Sequence, residues 1–137
     1  MDSAKYETGR SIRSAVLGEA YVARSERAVD EFNRPIQEMV TEFCWGSVWS
    51  RPGLELKTRS LINVAMLSAL GRQHELRLHL NGAINNGCSQ EEVREVLIQV
   101  AAYCGFPASL EAFRTASDVF AAAAERKHAT SGADAAG

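Results

Sequence analysis

The sequence predicts an all-α fold, and two observations carry this prediction. Apolar residues recur at the spacing of a helix along almost the whole chain. No segment alternates between apolar and polar residues for long enough to indicate a strand. We therefore expect about six helices and no sheet.

The first third of the chain is predicted to form two helices. Residues 5–17 make the first, and Gly18 ends it because glycine adopts the backbone conformation of a helix end at little cost. The second is expected from about residue 25 to residue 44. Pro35 lacks the backbone N–H that a helix interior needs, so this helix should kink or break near Asn33.

Residues 45–53 are predicted to form an aromatic loop, because they contain a Pro-Gly turn signal. Two helices should follow, over residues 55–70 and 72–86. Gly71 separates them, and the Asn-Asn-Gly run after the second is a strong helix stop.

The last two helices have the clearest boundaries. Ser89 and Glu92 are predicted to form a capping box, in which each side chain accepts a hydrogen bond from the backbone N–H of the other residue. An apolar stripe with helical spacing starts at Val93. Pro107 is expected in the first turn of the final helix, which should reach about Arg126.

Length and composition suit one domain. The chain has 137 residues, of which 46% are hydrophobic and 23% are charged. We expect residues 1–128 to form that domain and the small and polar residues 129–137 to form a flexible tail. The formal net charge of −2 gives no electrostatic case for nucleic acid as a partner. No apolar run approaches the roughly 18 residues that cross a membrane.

Cysteines and arginines indicate the compartment and the class of ligand. The three cysteines form no CxxC pair and no signal peptide is evident, so we expect reduced thiols in a cytoplasmic protein. Twelve of the fifteen basic residues are Arg. Because Arg binds carboxylates through two parallel hydrogen bonds, this bias favours an organic anion as ligand.

Arg72, Glu75 and His79 are predicted to lie on one helical face, because they are three and four residues apart. A cation, a carboxylate and an imidazole in this arrangement can bind an anion and move a proton. The same spacing also fits a solvated surface pair. A metal site is disfavoured, because no HExxH motif is present and His74 projects about 100° away from Glu75.

Other residues are candidates for binding. Arg51 and Arg59 either pair with nearby acids or collect an anionic ligand at helix ends. Tyr103 either offers its hydroxyl to a ligand or packs in the core with that hydroxyl bonded elsewhere. Trp45 and Trp49 are expected to offer apolar surface, which favours a homo-oligomer.

Motifs along nearly the whole chain, in order, resemble those of one known family. They are Tyr6…Gly9…Arg13…Val16-Leu17-Gly18, Trp45-Gly46…Trp49, Arg51-Pro52-Gly53-Leu54, Thr58-Arg59-Ser60-Leu61, Glu75…His79, Asn85-Asn86-Gly87, Glu91-Glu92-Val93…Glu95-Val96-Leu97 and Tyr103-Cys104-Gly105-Phe106-Pro107. In this order and at these spacings they resemble the carboxymuconolactone decarboxylase family, which shares a helical fold with the alkylhydroperoxidase D proteins.

The resemblance implies an alkylhydroperoxidase D-like fold assembled as a homotrimer or homohexamer. It also implies a lyase of the beta-ketoadipate pathway, in the protocatechuate branch of aromatic degradation. Such an enzyme removes carbon dioxide from gamma-carboxymuconolactone, a dicarboxylate lactone, and gives the beta-ketoadipate enol-lactone without a cofactor. A related enzyme with another substrate, or a non-enzymatic binding protein, stays open.

The resemblance also bears on a thiol-dependent peroxidase, which on this fold uses a CxxCxxxH motif. Arg72 and Glu75 occupy the places of the two cysteines, and His79 that of the histidine. The sequence therefore lacks the thiols which that reaction needs.

The catalytic residues that this reading assigns are His79 and Glu75. Glu75 would raise the pKa of His79, whose imidazolium would protonate the ring carbon. The reverse assignment, with Glu75 as the acid and His79 as donor to the developing oxyanion, stays open. Arginines would bind the substrate carboxylates, the tryptophans would supply apolar surroundings, and the tyrosine is a weaker oxyanion candidate. The expected substrate-binding residues are Arg51, Arg59, Arg72, Trp45, Trp49 and Tyr103.

Overall fold

The computed structural model describes residues 1–136, and it confirms the all-α prediction. Within those residues the chain forms seven α-helices and one π-helical segment, with no strand. The elements are α1 (Ser3–Leu17), α2 (Glu19–Arg27), α3 (Arg34–Met39), the π segment (Val40–Val48), α4 (Leu56–Leu70), α5 (Gln73–Asn85), α6 (Gln90–Cys104) and α7 (Phe106–Ala136).

The predicted second helix is wrong in extent, although its break is confirmed. Helix α2 begins at Glu19, directly after Gly18, and ends at Arg27. In the following turn, Asp30 and Asn33 exchange hydrogen bonds: each backbone N–H donates to the side-chain oxygen of the other residue, at 2.8 and 2.9 Å. This local pairing offers the backbone an alternative to the helix, so α3 starts anew at Arg34.

The predicted aromatic loop is wrong over its first four residues, because the π segment continues to Val48. Trp45 and Trp49 are only 4% and 7% exposed, and their rings stack with centroids 4.7 Å apart. Burial of two large aromatic side chains outweighs the weak local preference of this segment for a loop. The exposed apolar surface that we expected from these two residues is therefore absent.

The chain divides into two compact units. The first comprises Met1–Ser60 with Gly82–Cys88, and the second comprises Leu61–Asn81 with the chain from Ser89 onward. The single-domain interpretation of residues 1–128 stays a prediction.

The first unit is built on a close approach of α1 to the π segment. Gly9 and Gly46 are both buried there, and a Cβ atom on either would overlap the backbone of the facing element. The core beside this crossing contains three buried residues and three partly buried ones. They are Val16, Trp45 and Trp49, with Ile12, Leu17 and Val40 packed against them.

The Asn85-Asn86-Gly87 run ends α5 and also forms hydrogen bonds to other segments of the first unit. Asn85 donates from its side-chain amide to the carbonyl of Val16 at 2.7 Å, and Asn86 donates to the hydroxyl of Ser60 at 2.8 Å. The buried thiol of Cys88 lies 3.6 Å from the carbonyl of Lys57. These contacts join segments that are far apart in sequence.

In the second unit the capping box at the start of α6 is confirmed. Ser89 Oγ accepts from the backbone of Glu92 at 3.0 Å, and Glu92 Oε1 accepts from the backbone of Ser89 at 2.9 Å. The buried Ser109 of α7 donates to the carbonyl of Leu97 at 2.6 Å, which ties α7 to α6. The apolar stripe of α6 is buried at Val93 and at two later positions, Leu97 and Val100.

Helix α7 is longer than predicted. It passes Arg126, where we expected it to end, and continues to Ala136 through most of the segment predicted to be a flexible tail. Gly137 lies outside the described residues, and the flexibility of 129–137 stays a prediction. Among residues 1–136, no helix combines the length and apolar character that crossing a membrane requires.

Candidate active site

His79 lies on α5 in the second unit, half-buried beside the fully buried Leu76 and Leu80. The helical face that carries it therefore borders the core. Glu75 and Arg72, earlier on the same stripe, are exposed. The structure thus places an imidazole at the boundary between packed apolar side chains and solvent, with a carboxylate on its outer side.

Asn63 of α4 contacts His79 in a way that the sequence did not indicate. The amide nitrogen of Asn63 lies 3.4 Å from Nδ1 of the imidazole. An amide nitrogen only donates, so Nδ1 accepts and the proton of the neutral ring resides on Nε2. Nε2 then carries the single N–H of the ring. The two residues are 16 positions apart on different helices, and no local pattern connects them.

Burial lowers the pKa of His79 from its ordinary value of 6.5 to about 4, although the negative charge of Glu75 acts in the opposite direction. Loss of hydration disfavours the charged imidazolium, and here it outweighs one exposed carboxylate. Glu75 thus raises the pKa of His79, as predicted, but burial outweighs its effect and the net pKa is lowered. At neutral pH the substrate-free protein contains a neutral imidazole at this position.

This neutral histidine predicts a specific dependence of stability on pH. Above pH 6.5 His79 is neutral in both the folded and the unfolded chain. As the pH falls from 6.5 towards 4, only the unfolded chain takes up the proton, so the free energy of unfolding should fall. Between pH 7 and pH 5 the loss should reach about 2 kcal/mol.

The measurement is denaturant unfolding of the wild type and of His79→Gln at both pH values. Carboxylates that titrate in both proteins cancel in the comparison. The variant should lose less stability between pH 7 and pH 5 than the wild type. An identical loss in the two proteins would show that His79 is not held neutral by folding.

Arg51 and Arg59 lie together in the first unit. Arg59 donates from Nη2 to the carbonyl of Arg51 at 3.1 Å. The Nε atom of Arg59 is buried and has no hydrogen-bond partner within residues 1–136. Neither side chain forms an ion pair with a described acid, so the alternative that nearby acids neutralise them is not realised. An unsatisfied guanidinium donor is a group that a carboxylate can satisfy.

The other predicted binding residues differ in their surroundings. Trp45 and Trp49 pack in the core of the first unit, and contact of either ring with a substrate stays a prediction. Tyr103 is 85% exposed at the end of α6, so the alternative of a buried core tyrosine is wrong. The structure therefore places Glu75 and His79 on α5, with Arg72 directly before its first residue, whereas Arg51, Arg59 and the tryptophans belong to the other unit.

Metal ligands are not clustered in the part of the chain that the structure describes. No group of three His, Cys, Asp or Glu side chains there has the arrangement of a metal site.

Comparisons with known proteins identify the family of this chain. Residues 34–118 match the Carboxymuconolactone decarboxylase family. A 4-carboxymuconolactone decarboxylase of Acinetobacter baylyi is 44% identical over 119 residues, which cover 87% of this chain and 89% of that protein.

Two further relatives extend the comparison. A nitrosuccinic acid decarboxylase of Metarhizium robertsii is 44% identical over 107 residues, or 78% of this chain and 75% of that protein. An uncharacterized 15.0 kDa protein of Paracoccus denitrificans is 28% identical over 97 residues, or 69% of this chain and 72% of that protein. The helical architecture, the family match and the extent of these similarities lead to one conclusion: the chain belongs to the carboxymuconolactone decarboxylase family.

Proposed function

We propose that this protein is a carboxy-lyase that decarboxylates gamma-carboxymuconolactone to the beta-ketoadipate enol-lactone, in the protocatechuate branch of aromatic degradation. The observation that carries the proposal is the 44% identity, over most of both chains, to a protein named 4-carboxymuconolactone decarboxylase. The imidazole and carboxylate on α5 supply groups that the reaction needs.

The substrate itself can accept the electrons of this reaction, so no cofactor is required. The bond between the ring and the departing carboxylate breaks, and its electron pair moves through the ring double bond to the lactone carbonyl. Carbon dioxide leaves, and an enolate-like oxyanion remains. A proton then adds to the ring carbon beside that carbonyl. The protein must hold the dicarboxylate, stabilise the oxyanion and deliver the proton.

The state of His79 favours one of the two assignments that the sequence left open. A neutral imidazole with its proton on Nε2 is suited to donate a hydrogen bond to the developing oxyanion. We therefore assign His79 to the oxyanion and Glu75 to proton delivery. Under this assignment Asn63 is a positioning residue, because it acts on the substrate only through the orientation and tautomer of His79.

Arg51, Arg59 and Arg72 are proposed to bind substrate carboxylates. We expect Arg51→Ala and Arg59→Ala each to raise KM by about tenfold, the effect of losing one charge-assisted hydrogen bond, with a smaller change in kcat. Steady-state kinetics measure both constants. Arg24→Ala is a matched control, because Arg24 is an exposed arginine on α2. An unchanged KM in both variants would remove Arg51 and Arg59 from substrate binding.

A second candidate substrate follows from the relative in Metarhizium robertsii. That protein is named a nitrosuccinic acid decarboxylase and is as similar in percentage identity as the lactone decarboxylase. Both names describe loss of carbon dioxide from a small carboxylic acid. Nitrosuccinate is therefore the alternative within the same reaction class.

The deciding experiment is incubation of the purified protein with each acid. The lactone is labile and is generated enzymatically in the same vessel, and the product is identified directly by mass spectrometry and NMR. Release of carbon dioxide with formation of the enol-lactone supports the proposal. Turnover of nitrosuccinate alone would move the protein to the alternative substrate, and turnover of neither would refute both.

We also propose that the protein is a cytoplasmic homo-oligomer, as a trimer or hexamer. Several large apolar side chains are exposed on the single chain, among them Phe32 at 94%, Phe43, Leu70 and Phe106. Exposed apolar surface on this scale is typical of subunit interfaces. Light scattering coupled to size-exclusion chromatography measures the number of subunits.

A further inference from the structure

The first unit contains a cavity of about 200 Å³ that the proposed reaction does not use. It lies among α1, α2, α3 and the start of the π segment. Its charged lining comes from three arginines and two glutamates: Arg10, Arg13, Arg34, Glu26 and Glu38. Among the lining residues the basic side chains therefore outnumber the acidic ones by one.

Arg13 is the central feature of this cavity. Its side chain is 9% exposed, and its Nε atom is buried without a hydrogen-bond partner among the described residues. It forms no ion pair with any acid whose side chain the structure describes. A buried guanidinium without a counter-charge is costly, because desolvation is not offset by attraction to a partner.

The acids near Arg13 do not resolve this imbalance. Glu26 binds Nε of Arg10 at 2.7 Å, and Glu19 binds the same guanidinium at 3.2 Å. Arg10 therefore already engages Glu26. Arg34 and Glu38 lie four residues apart on α3 and balance each other in number. Arg13 is left without an ion pair to any of these acids.

From these observations we infer that the cavity is a binding site for a small carboxylate, with Arg13 as its principal ligand. A carboxylate matches the guanidinium with two parallel hydrogen bonds and removes the uncompensated charge. The volume is below the 300 Å³ or so of pockets for drug-sized molecules, so the ligand is a compact acid of few carbons.

Two sources of this carboxylate are distinguished by experiment. One is the substrate of the proposed decarboxylation, and the other is a separate metabolite acid. The inference concerns binding alone, so it stands or falls independently of whether the protein turns over the lactone.

The test uses succinate as the probe, with isothermal titration calorimetry and the thermal unfolding temperature Tm as readouts. Ionic strength is held constant with sodium chloride. We expect saturable binding to the wild type and a matching rise in Tm. Arg13→Lys keeps the charge but loses the two-pronged geometry, and it should bind at least about tenfold more weakly. Arg13→Met should show no binding, whereas Arg24→Met should match the wild type.

Fold and binding are read separately in this design. Circular dichroism of each variant shows whether its helices form. If Arg13→Met does not fold, the loss of succinate binding is judged from Arg13→Lys alone. The site is refuted if the wild type binds neither succinate nor acetate, or if Arg13→Lys binds succinate as tightly as the wild type. Equal binding of phosphate at the same ionic strength would overturn the carboxylate assignment.

The KM of Arg13→Lys for the lactone then shows whether the bound carboxylate is the substrate or a separate acid. A raised KM for the lactone, together with weakened succinate binding, supports the site with the substrate as its anion. An unchanged KM together with weakened succinate binding supports the site with a separate acid. If the lactone is not a substrate, the calorimetric comparison still decides whether the site exists.

Discussion

Replacement of His79 by Gln is expected to lower kcat/KM for carboxymuconolactone by about 10²- to 10⁴-fold. The imidazole is neutral in the substrate-free protein. Its Nδ1 atom accepts a hydrogen bond from Asn63, which fixes the orientation of the ring and therefore the direction of Nε2–H. A donor held in place before the reaction stabilises an oxyanion without reorganisation. The amide of Gln can also donate, but without the rigid ring it does not hold its N–H in the position of the imidazole donor.

Glu75→Gln should cause a loss of similar size if Glu75 delivers the proton, because an amide cannot transfer one. His74→Gln is the matched control, since His74 is an exposed histidine on the same helix. Retention of near wild-type kcat/KM in both His79→Gln and Glu75→Gln, with unchanged oligomeric state, would contradict the catalytic assignment. A large loss in His79→Gln alone would keep the oxyanion role and remove Glu75.

Gly9→Ala is expected to lower the free energy of unfolding by about 2 kcal/mol or more. A Cβ atom on Gly9 would overlap the carbonyl oxygen of Thr41 and come within 2.7 Å of the nitrogen of Gly46. Both contacts are to backbone, so no side chain can rotate to relieve them. The gain of about 1 kcal/mol in helix propensity from Gly to Ala does not offset this overlap.

Gly46→Ala should act in the same way, because its Cβ atom would overlap the carbonyl of Lys5. Denaturant unfolding monitored by circular dichroism measures the change. Gly53→Ala is the control, since a Cβ there meets no atom within 4 Å. Wild-type stability in both Gly9→Ala and Gly46→Ala would show that α1 and the π segment are not held at this distance in solution.

Features that depend on neighbours in sequence were predicted well. The capping box of Ser89 and Glu92, the helix end at Gly18 and the break near Asn33 each arise from contacts within a few residues. The common face of Glu75 and His79 follows from helical spacing alone. Such features need no knowledge of which distant segments pack together.

Features that depend on distant segments were missed or predicted wrongly. The predicted loop at residues 45–48 is helical because Trp45 and Trp49 are buried against Val16. The contact of Asn63 with His79 joins two helices. For the carboxylate cavity, the sequence showed an excess of arginines but not that Arg13 is the one buried without a partner.

The sequence by itself therefore determined the all-α architecture, the family and the residues that share one face of α5. Only the tertiary structure decided the protonation state of His79 and the charge balance of Arg13. The physical reason is the same for both. Helical spacing and caps are set by interactions over three or four residues, whereas desolvation of an ionisable group is set by whatever the fold packs around it.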